Sequence, residues 1–322
     1  MAVTDLAQLP SILGLAPNKV FAGPAHASLF GKTIYVDSGH ANAGATGAYP
    51  ERGSYDYPCS TIDYAIGLCT ASNGDVIHVA PGHTETISGA AGLVCDVAGV
   101  TIIGHGKGAA RPNVKFTATA STMTITAASV SIRNILFTGN IDAVVAPITI
   151  SGADCELLDF ETRDVTGQMT SCITTTAGAN RLLIDGWVHN GATAAGGVTA
   201  LSIVGGDGIV VRNFRIFGNF STAAIENVTT ACTNIAIYGD KTCFIQNGLD
   251  NAAVVAVTMV STSTGFIGPN INVRIGVDST SNTTNITEAL VGAAMQFMLP
   301  LNICNLGGEV AMASNITAST DA

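Results

Sequence analysis

The sequence predicts an all-β protein, a single-stranded right-handed parallel β-helix in which short strands coil around one apolar core. Three observations predict this fold. Apolar residues make up 47% of the 322 residues and charged residues only 11%, so a large core can form. Short alternations of apolar and small polar residues recur, as in half-buried strands. Similar segments also return at intervals of 21 to 28 residues, a period typical of solenoids.

The repeated segments place an Asn or Asp beside a short apolar run. Three copies are alike, at 133–140 (RNILFTGN), 212–219 (RNFRIFGN) and 233–240 (TNIAIYGD), and weaker copies begin at 158 and 184. Asn and Asp form turns because their side chains bond nearby backbone and tolerate the left-handed conformation. We therefore expect one column of turn residues, stacked from coil to coil as a possible side-chain ladder, at Asn134, Asp159, Asp185, Asn213 and Asn234.

The pattern divides the chain into four zones. Residues 1–30 form an extended N-terminal arm, and residues 31–98 hold an opening strand, a capping helix and the first coil. Residues 99–245 hold the repeated coils of the parallel β-helix, each with two or three short strands. Residues 246–322 contain further strands and form a segment that closes the stack or mediates oligomerisation.

The opening zone has the order strand, helix, strand. Thr33–Asp37 (TIYVD) alternates as a strand does. The segment 59–69 is typical of a helix, with Ser60 placed as its N-cap and with Ile62, Ala65, Ile66 and Cys69 on one face. Gly74–Glu85 (GDVIHVAPGHTE) is typical of a strand that ends in a Pro-Gly turn.

These motifs, Thr33–Asp37, Ser60–Thr70 and Gly74–Glu85, resemble the opening of the pectate-lyase-like β-helix superfamily. The resemblance covers about residues 31–245. It implies a right-handed parallel β-helix whose first helix covers the open end of the core and its unpaired strand edges. It does not imply one activity, because the same scaffold carries many.

The chain departs from the enzymes of that superfamily. Resemblance to pectate lyases would imply acids that hold calcium and a basic residue as the base. Resemblance to polygalacturonases would imply paired Asp residues, a Gly-His-Gly and an Arg-x-Lys. Only the Gly-His-Gly occurs, at 104–106, and we interpret it as a turn between coils, so no catalytic residue is expected.

If the protein is an enzyme, the candidate catalytic residues are three acids. Asp159 and Asp185 are one period apart, so they can stack at about 5 Å, a separation that suits a pair of glycosidase carboxylates. Glu161 shares a strand face with Asp159. The alternative is a solvated turn or a structural ladder.

No metal site, no cofactor, no nucleic-acid partner and no membrane partner is predicted. The 8 cysteines form no C-x-x-C pair and no zinc-like cluster, and no phosphate-binding loop motif occurs. The net charge of -10, with 13 basic residues, does not suit a run of phosphates. No apolar run reaches about 18 residues, and no secretory signal is recognisable, so we expect synthesis in a reducing cytoplasm.

The arm and the composition indicate a class of function. An apolar arm has no core of its own, so we expect it to bind a partner through Leu6, Leu9, Ile12, Leu13 and Leu15. A low-charge β-helix rich in Ala, Gly and Thr resembles the virion proteins of tailed phages, which are commonly trimeric.

That resemblance implies a non-enzymatic structural protein located in the virion. The expected form is a capsid-surface decoration protein or another particle-bound β-helix, which assembles as a homotrimer and contacts the capsid shell through its arm. Two alternatives remain open. One is a tailspike-type polysaccharide lyase or hydrolase, and the other is a glycan-binding adhesin.

Overall fold

The structure is a computed structural model of the chain. It describes residues 31–46, 52–192, 196–227, 229–241, 243–247 and 255–275, together with four short strands at 290–291, 295–297, 303–306 and 309–312. Within these residues the chain is a parallel β-solenoid, which confirms the predicted all-β coil of stacked strands. The predicted partner-binding arm lies outside the described residues; it comprises residues 1–30 with Leu6, Leu9, Ile12, Leu13 and Leu15.

Each coil passes through three sheets, named here sheet 1, sheet 2 and sheet 3 in the order the chain meets them. Among the described residues, sheet 1 stacks ten strands: β1 (Thr33–Val36), β2 (Val76–Val79), β5 (Thr101–Gly104), β8 (Ser131–Arg133), β11 (Glu156–Leu158), β14 (Leu183–Asp185), β18 (Val210–Arg212), β22 (Ile235–Tyr238), β25 (Gly265–Ile267) and β28 (Met295–Phe297).

Sheets 2 and 3 complete the triangular coil. Within the same described ranges, sheet 2 stacks β3 (Thr84–Ile87), β6 (Asn113–Phe116), β9 (Leu136–Gly139), β12 (Glu161–Asp164), β15 (Val188–Asn190), β19 (Arg215–Phe217), β23 (Cys243–Asn247), β26 (Ile271–Ile275), β29 (Ile303–Leu306) and β30 (Glu309–Met312). Sheet 3 stacks β4 (Leu93–Cys95), β7 (Met123–Ile125), β10 (Ile148–Ile150), β13 (Ser171–Thr175), β16 (Gly197–Ser202), β20 (Phe220–Glu226), β24 (Val255–Thr258) and β27 (Leu290–Val291). A small pair, β17 (Gly206–Asp207) and β21 (Cys232–Thr233), lies beside them.

Strands of successive coils pair in parallel and in register, and among the described strands only β30 returns antiparallel, to β29. Ile132 of β8, for example, pairs with Ile102 of β5 and with Leu157 of β11. All three side chains face the core and are buried. Because side chains alternate along a strand, this register places aliphatic residues over one another from β1 to β25 of sheet 1. Each such buried side chain contributes about 1.5–3 kcal/mol of hydrophobic stabilisation.

A second interior column consists of aromatic rings. Phe116, Phe137, Phe160 and Trp187 follow one another from coil to coil, with ring centroids 6.4, 6.4 and 5.8 Å apart. The Phe160 and Trp187 planes differ by only 4°. All four side chains are buried, so this part of the interior is filled by neighbouring rings.

The opening helix, α1 (Ile62–Gly67), is shorter than the predicted segment 59–69. Its N-cap is Thr61, whose hydroxyl accepts the Tyr64 N–H at 3.3 Å, and not Ser60 as predicted. Cys59 and Ser60 lie before the helix and bond the region around β1 instead, since the Cys59 N–H donates to the Tyr35 carbonyl and the Ser60 N–H to the Gly44 carbonyl. Ile62, Ala65 and Ile66 are buried as expected.

Two carboxylates tie α1 to the first coil. Glu85 accepts the Ile62 N–H at 2.8 Å, and Asp63 accepts the Val94 N–H at 2.9 Å at the outer edge of β4. His83 lies 3.4 Å from the same Glu85 oxygen and accepts the Ser38 N–H through its other ring nitrogen. The helix and the loop after β1 are therefore fastened to the first coil by side-chain hydrogen bonds, of which the Glu85–Ile62 bond is buried and the Asp63–Val94 bond is exposed.

The parallel sheets continue past residue 245, where the zone of coils was predicted to end. β24, β25 and β26 extend sheets 3, 1 and 2, and Val257, Ile267 and Val273 remain buried. The 3₁₀ turn Gly108–Ala110 accounts for an irregular early coil, since it inserts residues between β5 and β6. The coil stack therefore extends beyond 99–245 on both sides.

Phe137 supplies a test of the aromatic column. Replacing Phe137 by alanine should lower the free energy of unfolding by about 3–5 kcal/mol, because it opens a cavity between two buried rings. Denaturant titration followed by circular dichroism measures this change. Val145→Ala is the matched control, because Val145 is 57% exposed, and it should cost less than about 0.5 kcal/mol. Equal effects of the two substitutions would contradict the placement of Phe137 in the core.

Candidate functional site

Two columns of left-handed turn residues flank sheet 1. The leading turn column precedes its strands at Gly99, Ser129, Asp154, Arg181, Gly208 and Asn234, with φ between 55° and 74°. The trailing turn column follows its strands at Asn134, Asp159, Gly186 and Asn213, with φ between 50° and 73°. In both columns the backbone N–H donates to a carbonyl of the next coil, except at Asn234, whose N–H donates to the Thr264 hydroxyl at 3.2 Å. The turns are therefore part of the same hydrogen-bonded stack as the strands.

The structure divides the predicted ladder between these columns. Asn134, Asp159 and Asn213 lie in the trailing column. Asp185 lies one residue earlier, as the last residue of β14, and Gly186 takes the turn position. Asn234 lies in the leading column. The sequence alignment missed this because Gly, Asn and Asp are interchangeable in left-handed backbone, so composition alone does not set the register.

The Asx side chains bond neighbouring coils through several kinds of partner. Asn134 Nδ2 donates to the carbonyls of Gly104 and Gly106 at 2.8 and 3.0 Å, and so holds the Gly-His-Gly turn. Asn213 Nδ2 donates to Asp185 Oδ1 at 2.8 Å. These contacts give the turn residues a direct role in tying one coil to the next.

The three candidate catalytic acids are each bonded to arginine. Asp159 Oδ2 lies 2.8 Å from Arg133 Nη2 of the preceding coil, and Asp185 Oδ2 lies 2.8 Å from Arg212 of the following coil. The arginines therefore approach the two carboxylates from opposite directions along the solenoid. The two acids lie in adjacent coils, where the Asp159 N–H donates to the Asp185 carbonyl at 2.8 Å, and each carboxylate is paired with its own arginine.

Glu161 lies in β12 of sheet 2, whereas Asp159 lies in the turn before it. One Glu161 oxygen bonds Arg163 at 2.5 Å and Asn190 at 2.9 Å, and the other lies 3.3 Å from Arg111. Glu161 is thus the centre of a cluster that joins three coils. Its oxygens are occupied by donors from the protein.

A groove lies on the outer face of sheet 1 at its first two strands, with a volume of about 370 Å³. Ile34 and Val36 of β1 face the core, so Tyr35 between them faces outward, and it pairs in register with His78 of β2. The segments after β1, β2 and β5 supply the remaining walls. The groove is lined by Tyr35, Val36, Asp37, His40, Tyr55, Pro58, His78, Ala80, Pro81 and His105.

Four rings form a continuous contact in this groove. Tyr35 stacks on His78 with centroids 5.7 Å apart, and His78 lies 5.0 Å from His105. Tyr55 meets Tyr35 at 5.6 Å with the planes at 89°. Tyr55 is 74% exposed, so the groove has one wall that is both aromatic and open to solvent.

Much of the polar capacity of the groove is used internally. His78 Nδ1 lies 2.9 Å from His105 Nε2, so one ring donates to the other. His40 Nδ1 accepts the Asn42 N–H, and Asp37 Oδ1 accepts the Gly39 N–H at 2.9 Å. Burial, and secondarily the neighbouring His105, lowers the pKa of His78, which favours the neutral imidazole at pH 7.

Sequence reasoning missed this groove. The interpretation of Gly104–Gly106 as a turn between coils gives His105 no link to Tyr35 or His78. The available signal was the alternation in two segments: core-facing positions 34 and 36, and again 77 and 79, require Tyr35 and His78 to face outward together. Tyr55 gave no such signal, because only the fold of the loop at 52–58 brings it to β1.

A second polar group lies inside the solenoid. Thr162 Oγ1 accepts the Trp187 indole N–H at 2.8 Å and lies 2.9 Å from His189 Nδ1. His189 is buried, and its Nε2 has no hydrogen-bond partner among the described residues. Burial lowers the pKa of His189 to about 3. The imidazole therefore serves as a neutral interior group, shielded from solvent.

Comparisons with known proteins add no relative. No protein-family model matches the chain, and neither a curated protein nor a solved structure does.

Over the described ranges, no group of three or more His, Cys, Asp or Glu side chains is placed to hold a metal ion. No helix in those ranges is long and apolar enough to cross a membrane. The stacked parallel sheets define the class of this protein as a parallel β-solenoid.

Asn134 tests the contribution of the turn columns. Asn134→Ala should destabilise the protein by about 2–3 kcal/mol, because it removes two hydrogen bonds and leaves an alanine at a φ of 56°. Asn134→Gly removes the same hydrogen bonds without strain, and should cost about 1 kcal/mol less. Denaturant titration compares the two variants. Equal stabilities would contradict a conformational role for this position.

His189 predicts how stability depends on pH. The unfolded chain binds this proton near pH 6.5, whereas the folded protein resists it down to about pH 3. The stabilisation from neutral His189 is therefore complete above about pH 6.5 and falls as the pH drops toward 3, by up to about 1.4 kcal/mol per unit.

The comparison is between wild type and His189→Gln, each unfolded by denaturant at pH 7.5 and at pH 5. Wild type should lose about 2 kcal/mol more than the variant between these pH values. The pH 7.5 measurement is the control, because it isolates the packing cost of the substitution. Burial raises the pKa values of Asp164 and Glu226, so protonation of these carboxyl groups favours the folded state as the pH falls. This contribution is the same in wild type and variant, and it cancels when their stability losses are subtracted. Equal losses in the two proteins would contradict a neutral buried His189.

Proposed function

We propose that this protein is a non-enzymatic structural protein of a tailed-phage virion, bound to the particle as a capsid-surface decoration protein or a similar β-helix component. The observation that carries this proposal is the pairing of the candidate acids. Asp159, Asp185 and Glu161 are each bonded to arginine. A glycoside hydrolase needs a carboxyl that can protonate the leaving group and a second that is free to act as base or nucleophile.

The same contacts suit a load-bearing role. Arg133–Asp159, Arg181–Asp154 and Arg212–Asp185 each join adjacent coils on the outside of the solenoid. Exposed ion pairs contribute little individually. Together with the in-register strands and turns, they link every coil to its neighbour. Such a stack is expected to open slowly, and slow opening is what protects a protein in a particle exposed to the environment.

The finer features of the fold belong to this proposal. We infer a right-handed coil of the pectate-lyase-like type, because parallel crossovers are right-handed in nearly all known cases. We also infer that α1 is a cap, since it contacts β1, β2 and β4 at one end of the sheets. A capped end prevents further strands from adding to the stack.

Assembly is the remaining part of the proposal. We assign the attachment to the shell to the apolar arm with Leu6, Leu9, Ile12, Leu13 and Leu15, and the expected assembly is a homotrimer. The low charge and high apolar content of the chain support this assignment. An arm of this kind would be ordered by the partner surface that it covers.

The proposal predicts that attachment depends on the arm and is independent of the acids. The double variant Leu9→Asp, Leu13→Asp of the full chain should fail to bind phage particles, because it places charge in an apolar contact. Its thermal midpoint should equal that of wild type. Sedimentation with particles and negative-stain imaging measure attachment, and light scattering measures the trimer.

The matched control is the double variant Asp159→Asn, Asp185→Asn, which should still attach. The alternative function, a tailspike-type lyase or hydrolase, predicts that the wild type shortens polysaccharide chains and that this control variant does not. Such a result, or attachment that survives the arm variant, would overturn the proposal.

A further inference from the structure

We propose that the groove formed by Tyr35, Tyr55, His78 and Asp37 binds an organic cation that carries a quaternary ammonium group. This inference does not depend on the proposed function. It rests on the kinds of surface that the groove presents and on which of its polar groups are already occupied.

The walls are aromatic and they stand at an angle. Tyr55 and Tyr35 meet at 89°, and His78 stacks against Tyr35 at 5.7 Å. Perpendicular rings form a corner in which a compact cation can contact more than one aromatic surface. The volume of about 370 Å³ is within the range of small-ligand sites. Tyr55 is 74% exposed, so a ligand reaches this corner from solvent.

The charge of the groove favours a cation. Asp37 is the carboxylate in its lining, and no lysine or arginine is part of that lining. Asp37 takes part in no ion pair within the part of the chain that the structure describes. A carboxylate beside electron-rich ring faces, in a lining that holds no lysine or arginine, attracts a positive ligand by both Coulomb and cation–π interactions.

The hydrogen bonds favour a ligand without donors. His78 and His105 satisfy each other at 2.9 Å. His40 uses one nitrogen on Asn42, and Asp37 uses one oxygen on Gly39. A sugar or another polyhydroxylated ligand needs many free donors and acceptors, whereas a quaternary ammonium needs only ring faces and a negative charge. The groove therefore fits the second ligand better.

The contact between His78 and His105 also favours a cationic ligand. Nitrogens 2.9 Å apart share one proton in their contact, which two positively charged rings could not do without repulsion. Burial lowers the pKa of His78, so the ring that stacks on Tyr35 favours its neutral form, and Asp37 is the carboxylate that the ligand meets. A neutral His78 ring also accepts a cation against its face.

The test is a titration of the full-length protein with tetramethylammonium chloride, followed by NMR signals of the tyrosine and histidine rings. Sodium chloride and methyl glucoside are the ligand controls. We expect saturable shifts with tetramethylammonium and a Kd on the order of 1 mM, as a few weak contacts would give. We expect none with sodium chloride or the glucoside. Absence of saturable shifts with tetramethylammonium, or saturation by the glucoside, would overturn the proposal.

Two variants locate the site. Tyr55→Ala and Asp37→Asn should each raise Kd about tenfold, and both are expected to fold, since Tyr55 is exposed and asparagine can still accept the Gly39 N–H. Phe244→Ala, an exposed ring outside the groove, and Asp96→Asn, an exposed carboxylate elsewhere, are matched controls. The site is rejected if the controls weaken binding as much as the groove variants do.

Choline and vesicles identify the source of the ammonium group. Choline in solution should bind with an affinity similar to that of tetramethylammonium, which supports a soluble ligand. Displacement of bound choline by phosphatidylcholine vesicles, and not by phosphatidylglycerol vesicles, supports a lipid headgroup with the same chemistry. Choline that fails to bind contradicts the proposal.

Discussion

The in-register stacking of parallel strands is the constraint on which the rest of this structure depends. Strands in such a sheet lie about 4.8 Å apart, so each side chain has as its neighbours the side chains at the same position in the coils before and after it. The residue type at each position is therefore constrained by the equivalent residues in the adjacent coils as much as by its neighbours in the sequence. Most inward positions are aliphatic or aromatic, and most positions of the turn columns hold Gly, Asn or Asp, which tolerate positive φ.

The same constraint governs charge. Like charges in adjacent coils would face each other at a strand spacing, which is unfavourable. In the leading turn column Asp154 is followed by Arg181, and they bond directly. On the outer face of sheet 1, Asp185 is followed by Arg212 in register. Where acidic and basic residues alternate from one coil to the next, they form ion pairs. This explains why the few charged residues of the chain so often join adjacent coils.

Much of the fold could be predicted because its signal is local. The alternation in Thr33–Val36, Met123–Ile125 and Ile148–Ile150 is visible in a few residues, and all three are strands of the solenoid. The register of the turns was harder. Gly186 stands where an Asx was expected, and Asn234 belongs to a different column from Asn134. Loops of unequal length shift the repeat, and only the strand pairing shows by how much.

The groove could not be predicted for a related reason. Its first part, Tyr35 over His78, follows from the repeat, but Tyr55 and Asp37 belong to the segment between β1 and α1, which has no counterpart in later coils. In the coils near residues 133–212, the outer column is filled by partners such as Arg133 and Asp159 that satisfy each other. The opening segment instead adds rings and a carboxylate that the repeat does not pair. Where an inserted segment interrupts a repeating scaffold, its side chains have no equivalent in the next coil to pair with. Such side chains remain available for a ligand, so a binding site is expected at an interruption of this kind.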